Sequence, residues 1–64
     1  EKEILNAIQK LSPTYRTVFV LAAIEGYSHK EIATELGITE STSRSNLVKA
    51  RLRLQELLKE KIGM

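Results

Sequence analysis

The 64 residues contain no cysteine and no tryptophan, and only one proline, one histidine, three glycines, two tyrosines and one phenylalanine. Each scarcity excludes something. Without cysteine, neither a disulfide nor a thiolate metal site can brace the fold, and the composition fits a reducing compartment. The lone His29 has no second histidine or carboxylate at ligand spacing, which argues against a metal centre. No two carboxylates are arranged to separate an acid from a base, and there is no nucleophile elbow or phosphate-cradling glycine loop. Catalytic residues, cofactors and metals are therefore not expected, and the chain is read as a non-enzyme. Long apolar runs are missing too: Val18 to Ile24 falls far short of the roughly 20 residues of a membrane span. No signal-peptide pattern is visible, so the expectation is a cytoplasmic protein without membrane contact.

Acidic residues are absent from one further place. Between Glu40 and Glu56 there are none, while Arg44, Lys49, Arg51 and Arg53 fall in that stretch. The net charge of +2 says little by itself, but it is unevenly spread. Residues 1–40 carry Lys2, Lys10, Arg16 and Lys30 against six glutamates, whereas residues 41–64 carry six basic residues against Glu56 and Glu60. A basic C-terminal third on a near-neutral body is the footprint of polyanion contact, although solvated helices carry such charges as well. The length allows one small domain, residues 1–64, and beginning at Glu1 it is read as a piece of a longer protein.

The periodicity is helical throughout, which predicts an all-α, small four-helix domain. Helix one spans about Lys2 to Lys10, with Ile4, Leu5, Ile8 and Leu11 on one side. Ser12-Pro13 supplies a cap and a proline at the first helical position. Helix two then runs from Pro13 to about Glu25, apolar on most sides and hence central. Gly26 ends it. In helix four, about Glu40 to Lys61, Leu47, Ala50, Leu54, Leu57 and Leu58 share one face at spacings of three and four. Ser41, Thr42, Ser45, Val48, Lys49 and Leu52 lie opposite.

Between these helices sits the most informative stretch, Glu31 to Ser41. Ser28 and Glu31 form a capping box for helix three, about His29 to Leu36. Gly37 stands where the backbone must turn left-handed. Ile38 is expected in the core, and Thr39 caps the next helix. This is the pattern of a helix-turn-helix, whose second helix can lie in the DNA major groove.

Leu11-Ser12-Pro13-Thr14-Tyr15-Arg16-Thr17-Val18-Phe19, then Glu25-Gly26-Tyr27-Ser28-His29-Lys30-Glu31-Ile32-Ala33, continue into Leu36-Gly37-Ile38, Thr42, Arg44-Ser45, Leu47 and Lys49-Ala50-Arg51. Together they resemble the C-terminal promoter-binding domain (region four) of bacterial sigma factors, above all the extracytoplasmic-function group. The resemblance implies that the recognition helix reads the −35 promoter element. It also implies docking on RNA polymerase core through the beta-subunit flap, and in many members cover by an anti-sigma factor. Two positions depart from the pattern. Ser43 stands where valine is more usual, facing inward, where its hydroxyl can bond the preceding turn. Asn46 stands where arginine is frequent, which removes one DNA contact.

The candidate DNA-binding residues are Thr42, Arg44, Ser45, Val48 and Lys49 on the recognition helix, with Arg51 beside them and Ser28 and Lys30 at the start of helix three. Arg51 lies near the buried edge, within pairing range of Glu31 or Glu35, and Arg53 lies further round. A partner surface is expected at Leu52, Leu58 and Ile62, with Leu57 and helix one alongside. The domain is expected to act as a monomer on promoter DNA. Two alternatives remain open here: the DNA-binding domain of a helix-turn-helix response regulator, which dimerises through its last helix, and a helical bundle that binds only proteins.

Overall fold

Three short helices pack against one long one. The computed structural model of the chain describes residues 2–62, with side-chain surroundings up to Lys59. Its helices are α1 (Lys2–Gln9), α2 (Pro13–Phe19), α3 (His29–Leu36) and α4 (Glu40–Ile62). There is no strand among the described residues. At 1.5 Å per residue, α4 is about 34 Å long, which accounts for most of the domain's longest dimension of 40 Å.

Two clusters make the core. Ala7, Ile8 and Leu11 meet Ala50 and Leu54, with Tyr15, Phe19, Val20, Leu57 and Leu58 packed around them. Val18, Ile32 and Leu47 form the second, flanked by Phe19, Leu21, Ala22 and Leu36. Phe19 touches both, so α2 ties the N-terminal helix to the helix-turn-helix. Each fully buried aliphatic side chain contributes about 1.5–3 kcal/mol. A domain of this size has little stability to spare, so each one matters.

The first helix differs from its expected face. Ala7, Ile8 and Leu11 are buried, but Ile4 and Leu5 are 50% and 59% exposed. The spacing of the apolar residues is helical, yet α1 buries only Ala7 and Ile8, both near its C-terminal end.

Proline starts α2 as expected, but Ser12 does not cap it with its side chain. Ser12 is extended (φ −61°, ψ 155°), and only its carbonyl is used, accepting from the Arg16 N–H at 2.8 Å. Arg16 also turns its guanidinium back, Nη2 donating to the Leu11 carbonyl at 3.1 Å, which closes the α1–α2 corner. The helix expected to reach Glu25 instead widens into a π-helical turn over Val20–Ile24. There the Glu25 N–H bonds the Val20 carbonyl at 2.9 Å, and the Tyr27 N–H reaches Leu21 at 2.8 Å. Gly26, at φ 79°, permits the reversal that aims Tyr27 back. The wide turn leaves Ile24 60% exposed, and in this whole segment Val18 alone is sealed from solvent. The expectation that this would be the most buried element fails: α2 buries Val18 alone and the π turn buries nothing, whereas α1 and α3 bury two residues each and α4 buries four among the described residues.

Helix three is specified locally. The Glu31 N–H donates to Ser28 Oγ (3.0 Å) and the Ser28 N–H donates to Glu31 Oε1 (2.8 Å), the reciprocal capping box. At its other end Gly37 is left-handed (φ 70°, ψ 35°), and the N–H groups of Gly37 and Ile38 both close on the Ala33 carbonyl. Ile38 is half-buried, at the edge of the core rather than inside it. Thr39 then caps α4, its Oγ1 accepting the Thr42 N–H at 3.0 Å.

Candidate nucleic-acid interface

The back of α4 carries Ser43, Leu47, Ala50 and Leu54, all buried. At about 100° per residue, the front must then present Ser41, Thr42, Ser45, Val48, Lys49 and Leu52. All six are exposed, as are the flanking Arg44, Arg51 and Arg53. The side chains near the N-terminal end are small, which lets a helix backbone sit deep in a groove, and the cations lie at its flanks. Thr42, Arg44, Ser45, Val48 and Lys49 are thus brought together on one accessible surface within the first three turns.

Their chemistry is constrained in specific ways. Thr42 Oγ1 accepts from the Thr39 hydroxyl at 2.9 Å, which leaves its own hydroxyl proton available to an outside acceptor. Arg44 Nη1 stands 3.7 Å from Glu40 Oε1, one turn back, and both side chains are about half exposed. Arg53 is held by Glu56 at 3.1 Å. Arg51 pairs with neither Glu31 nor Glu35 among the described residues; it points to solvent as a free cation on the flank that also carries Arg44.

The start of α3 is less open than its free N–H groups suggest. The Ser28 hydroxyl is used by the capping box, and the Glu31 carboxylate occupies the same helix end. Lys30 is exposed there, beside a shallow groove lined by Tyr27, Lys30, Glu31, Thr34 and Glu35. Its two carboxylates make the outer face of α3 unwelcoming to phosphate. Any backbone contact from Ser28 and Lys30 is confined to the helix end.

One feature was not anticipated. Ser43 has no exposed surface, and its Oγ lies 2.8 Å from Nδ1 of His29, the first residue of α3. The hydroxyl bonds the opposite helix rather than the preceding turn. Burying a hydroxyl without a partner costs about 1–3 kcal/mol. The signal in the sequence was an inward-facing serine at a position suited to an apolar side chain, together with the single histidine, half-buried across from it.

Of the expected partner residues, Leu52 is 55% exposed. Leu57 and Leu58 pack half-buried against the α1 cluster, because they continue the spacing of Ala50 and Leu54. Leu58 therefore belongs more to the core than to a free surface. The side chain of Ile62 lies outside the described residues.

An all-α domain with a capped, glycine-terminated helix-turn-helix and a basic, outward-facing second helix defines a DNA-binding module. The model of the family "Sigma-70, region 4" matches residues 1–54, and the chain belongs to this family. Region 4 is the module of sigma factors that binds the promoter −35 element. The chain is 36% identical over 59 residues to the RNA polymerase sigma factor CarQ of Myxococcus xanthus, covering 92% of this chain and 34% of the relative. It is 38% identical over 56 residues to the ECF RNA polymerase sigma factor SigE of Mycolicibacterium smegmatis, covering 88% and 22%. It is 45% identical over 58 residues to the ECF RNA polymerase sigma factor SigL of Mycobacterium tuberculosis, covering 84% and 33%. The chain thus spans about a third or less of the length of these relatives. No solved structure matches it. The family match favours the sigma reading over the response-regulator alternative. No helix among the described residues is long and apolar enough to cross a membrane.

Proposed function

We propose that this domain directs RNA polymerase to promoters by laying the first turns of α4 in the major groove of the −35 element. Thr42, Arg44, Ser45, Val48 and Lys49 meet base edges and phosphates, and Arg51 follows the backbone beside them. Ser28 and Lys30 approach a phosphate at the start of α3. The observation that carries this reading is the outward surface of α4: small, hydroxylated and cationic, directly after the Gly37 turn, with no acidic residue between Glu40 and Glu56. Val48 suits a thymine methyl, and Arg44 suits a guanine edge.

The partners of this role are promoter DNA and the RNA polymerase core, through the beta-subunit flap. The domain acts as one copy per site in the cytoplasm, and an anti-sigma factor can cover the same surfaces. Leu52, exposed beyond the DNA-reading turns, is the apolar residue best placed to meet a protein partner, with the half-exposed Leu58 further along and Ile62 the remaining sequence candidate. The test is selection of binding sites from random duplexes, with scrambled duplex as competitor at physiological salt. A recovered consensus bound by a single copy supports the reading. Binding without sequence preference reduces it to charge attraction.

A further inference from the structure

We propose that His29 and Ser43 form a polar latch that fixes the roll of the recognition helix against α3, making them positioning residues for base reading. The inference rests on the promoter-reading role proposed above. Ser43 is fully buried at the back of α4, and its Oγ meets His29 Nδ1 at 2.8 Å across the helix-turn-helix. Apolar contacts are non-directional, so Val18, Ile32 and Leu47 can hold α4 close without fixing its rotation. A hydrogen bond is restricted in both length and angle. The latch also sits at the right place. Ser43 lies between Thr42 and Arg44 in sequence and, at about 100° per residue, almost directly behind Ser45. With an outer radius of about 5–6 Å, a roll of about 10° moves the front side chains by about 1 Å. That is enough to break a base-edge bond, whose length is confined to about 2.7–3.2 Å.

The pair is tested on the full 64-residue chain with Ser43→Val, Ser43→Thr, His29→Ala and the Ser43→Val/His29→Ala double variant. Two readouts are taken: the α3–α4 angle from residual dipolar couplings, and the ratio of affinities for a duplex selected by the wild type and a scrambled duplex. Ser43→Val should leave the melting temperature unchanged or higher, reorient or loosen α4, and lower the ratio about tenfold, the size of one lost base contact. His29→Ala should lower it similarly, the double variant no further than the worse single one, and Ser43→Thr should retain most of it. Unchanged couplings in both Ser43→Val and His29→Ala overturn the latch whatever the DNA shows. So do additive losses, or a Ser43→Thr as poor as Ser43→Val. If the wild type selects no sequence, the promoter reading falls, and the couplings still decide the latch.

Discussion

Arg44 and Glu40 face each other across one turn of α4, Nη1 to Oε1 at 3.7 Å, at the mouth of the proposed DNA-reading surface. Exposed pairs of this kind contribute about 0–1 kcal/mol, so the contact does little for the fold. It places a carboxylate beside the cation that should meet DNA. Glu40→Gln should therefore raise affinity for any duplex by roughly two- to fivefold, with an unchanged melting temperature. Fluorescence anisotropy at fixed salt measures this. A fall in affinity would mean that Glu40 itself contacts DNA or holds Arg44 in its binding rotamer.

Arg44→Ala should cost about 1–3 kcal/mol in binding and relax preference at one or two base pairs, provided the guanidinium is bidentate to guanine. Competition between the selected duplex and its single-base variants resolves the role. A loss equal on all sequences makes Arg44 a phosphate contact, and no loss removes it from the interface.

The free cations on the front of α4 are few, so about three to six phosphates should be neutralised. The slope of log affinity against log salt should be about −3 to −5. A flat response would leave charge out of the interaction and favour a protein-binding bundle.

Gly37→Val should lower the melting temperature by about 5–15 °C, as followed by circular dichroism. An added Cβ at Gly37 meets nothing within 4 Å, so the cost is backbone strain at φ 70° alone, about 1–2 kcal/mol. An unchanged melt would show that the turn has another route.

These glycine and cap positions were legible because their causes are local. Ser28 with Glu31, Gly37 and Thr39 each satisfy backbone groups within a few residues, and so do the bounds of α3 and α4. The inward stripe of α4 was equally plain from its spacing. What the sequence could not show depends on how helices meet. Ile4 and Leu5 have the right period for burial but remain about half exposed. The π turn answers to the closure at Gly26 rather than to any residue in Val20–Ile24. Ser43 revealed that it needed a partner but not which one. On the proposed DNA-reading surface, the front of α4 followed from its period, whereas the freedom of Arg51 came only with side-chain positions.

Leu52→Gln should leave folding and duplex binding intact while weakening association with RNA polymerase core about tenfold, the effect of losing one central apolar contact. Pull-down with purified core enzyme measures it. Full-strength binding would place the partner surface elsewhere, with the uncovered Ile4 and Leu5 the next residues to change.

Because α4 is at once the spine of the core and the proposed DNA surface, its two sides can be altered independently. Thr42, Ser45, Val48 and Lys49 are all exposed, so exchanging them should alter which sequence is chosen while leaving the folding free energy nearly unchanged. The domain is in this sense reprogrammable: a library varied at these four positions should yield new base preferences at little cost in melting temperature, whereas the same variation at the buried Leu47, Ala50 and Leu54 should yield mostly unfolded chains.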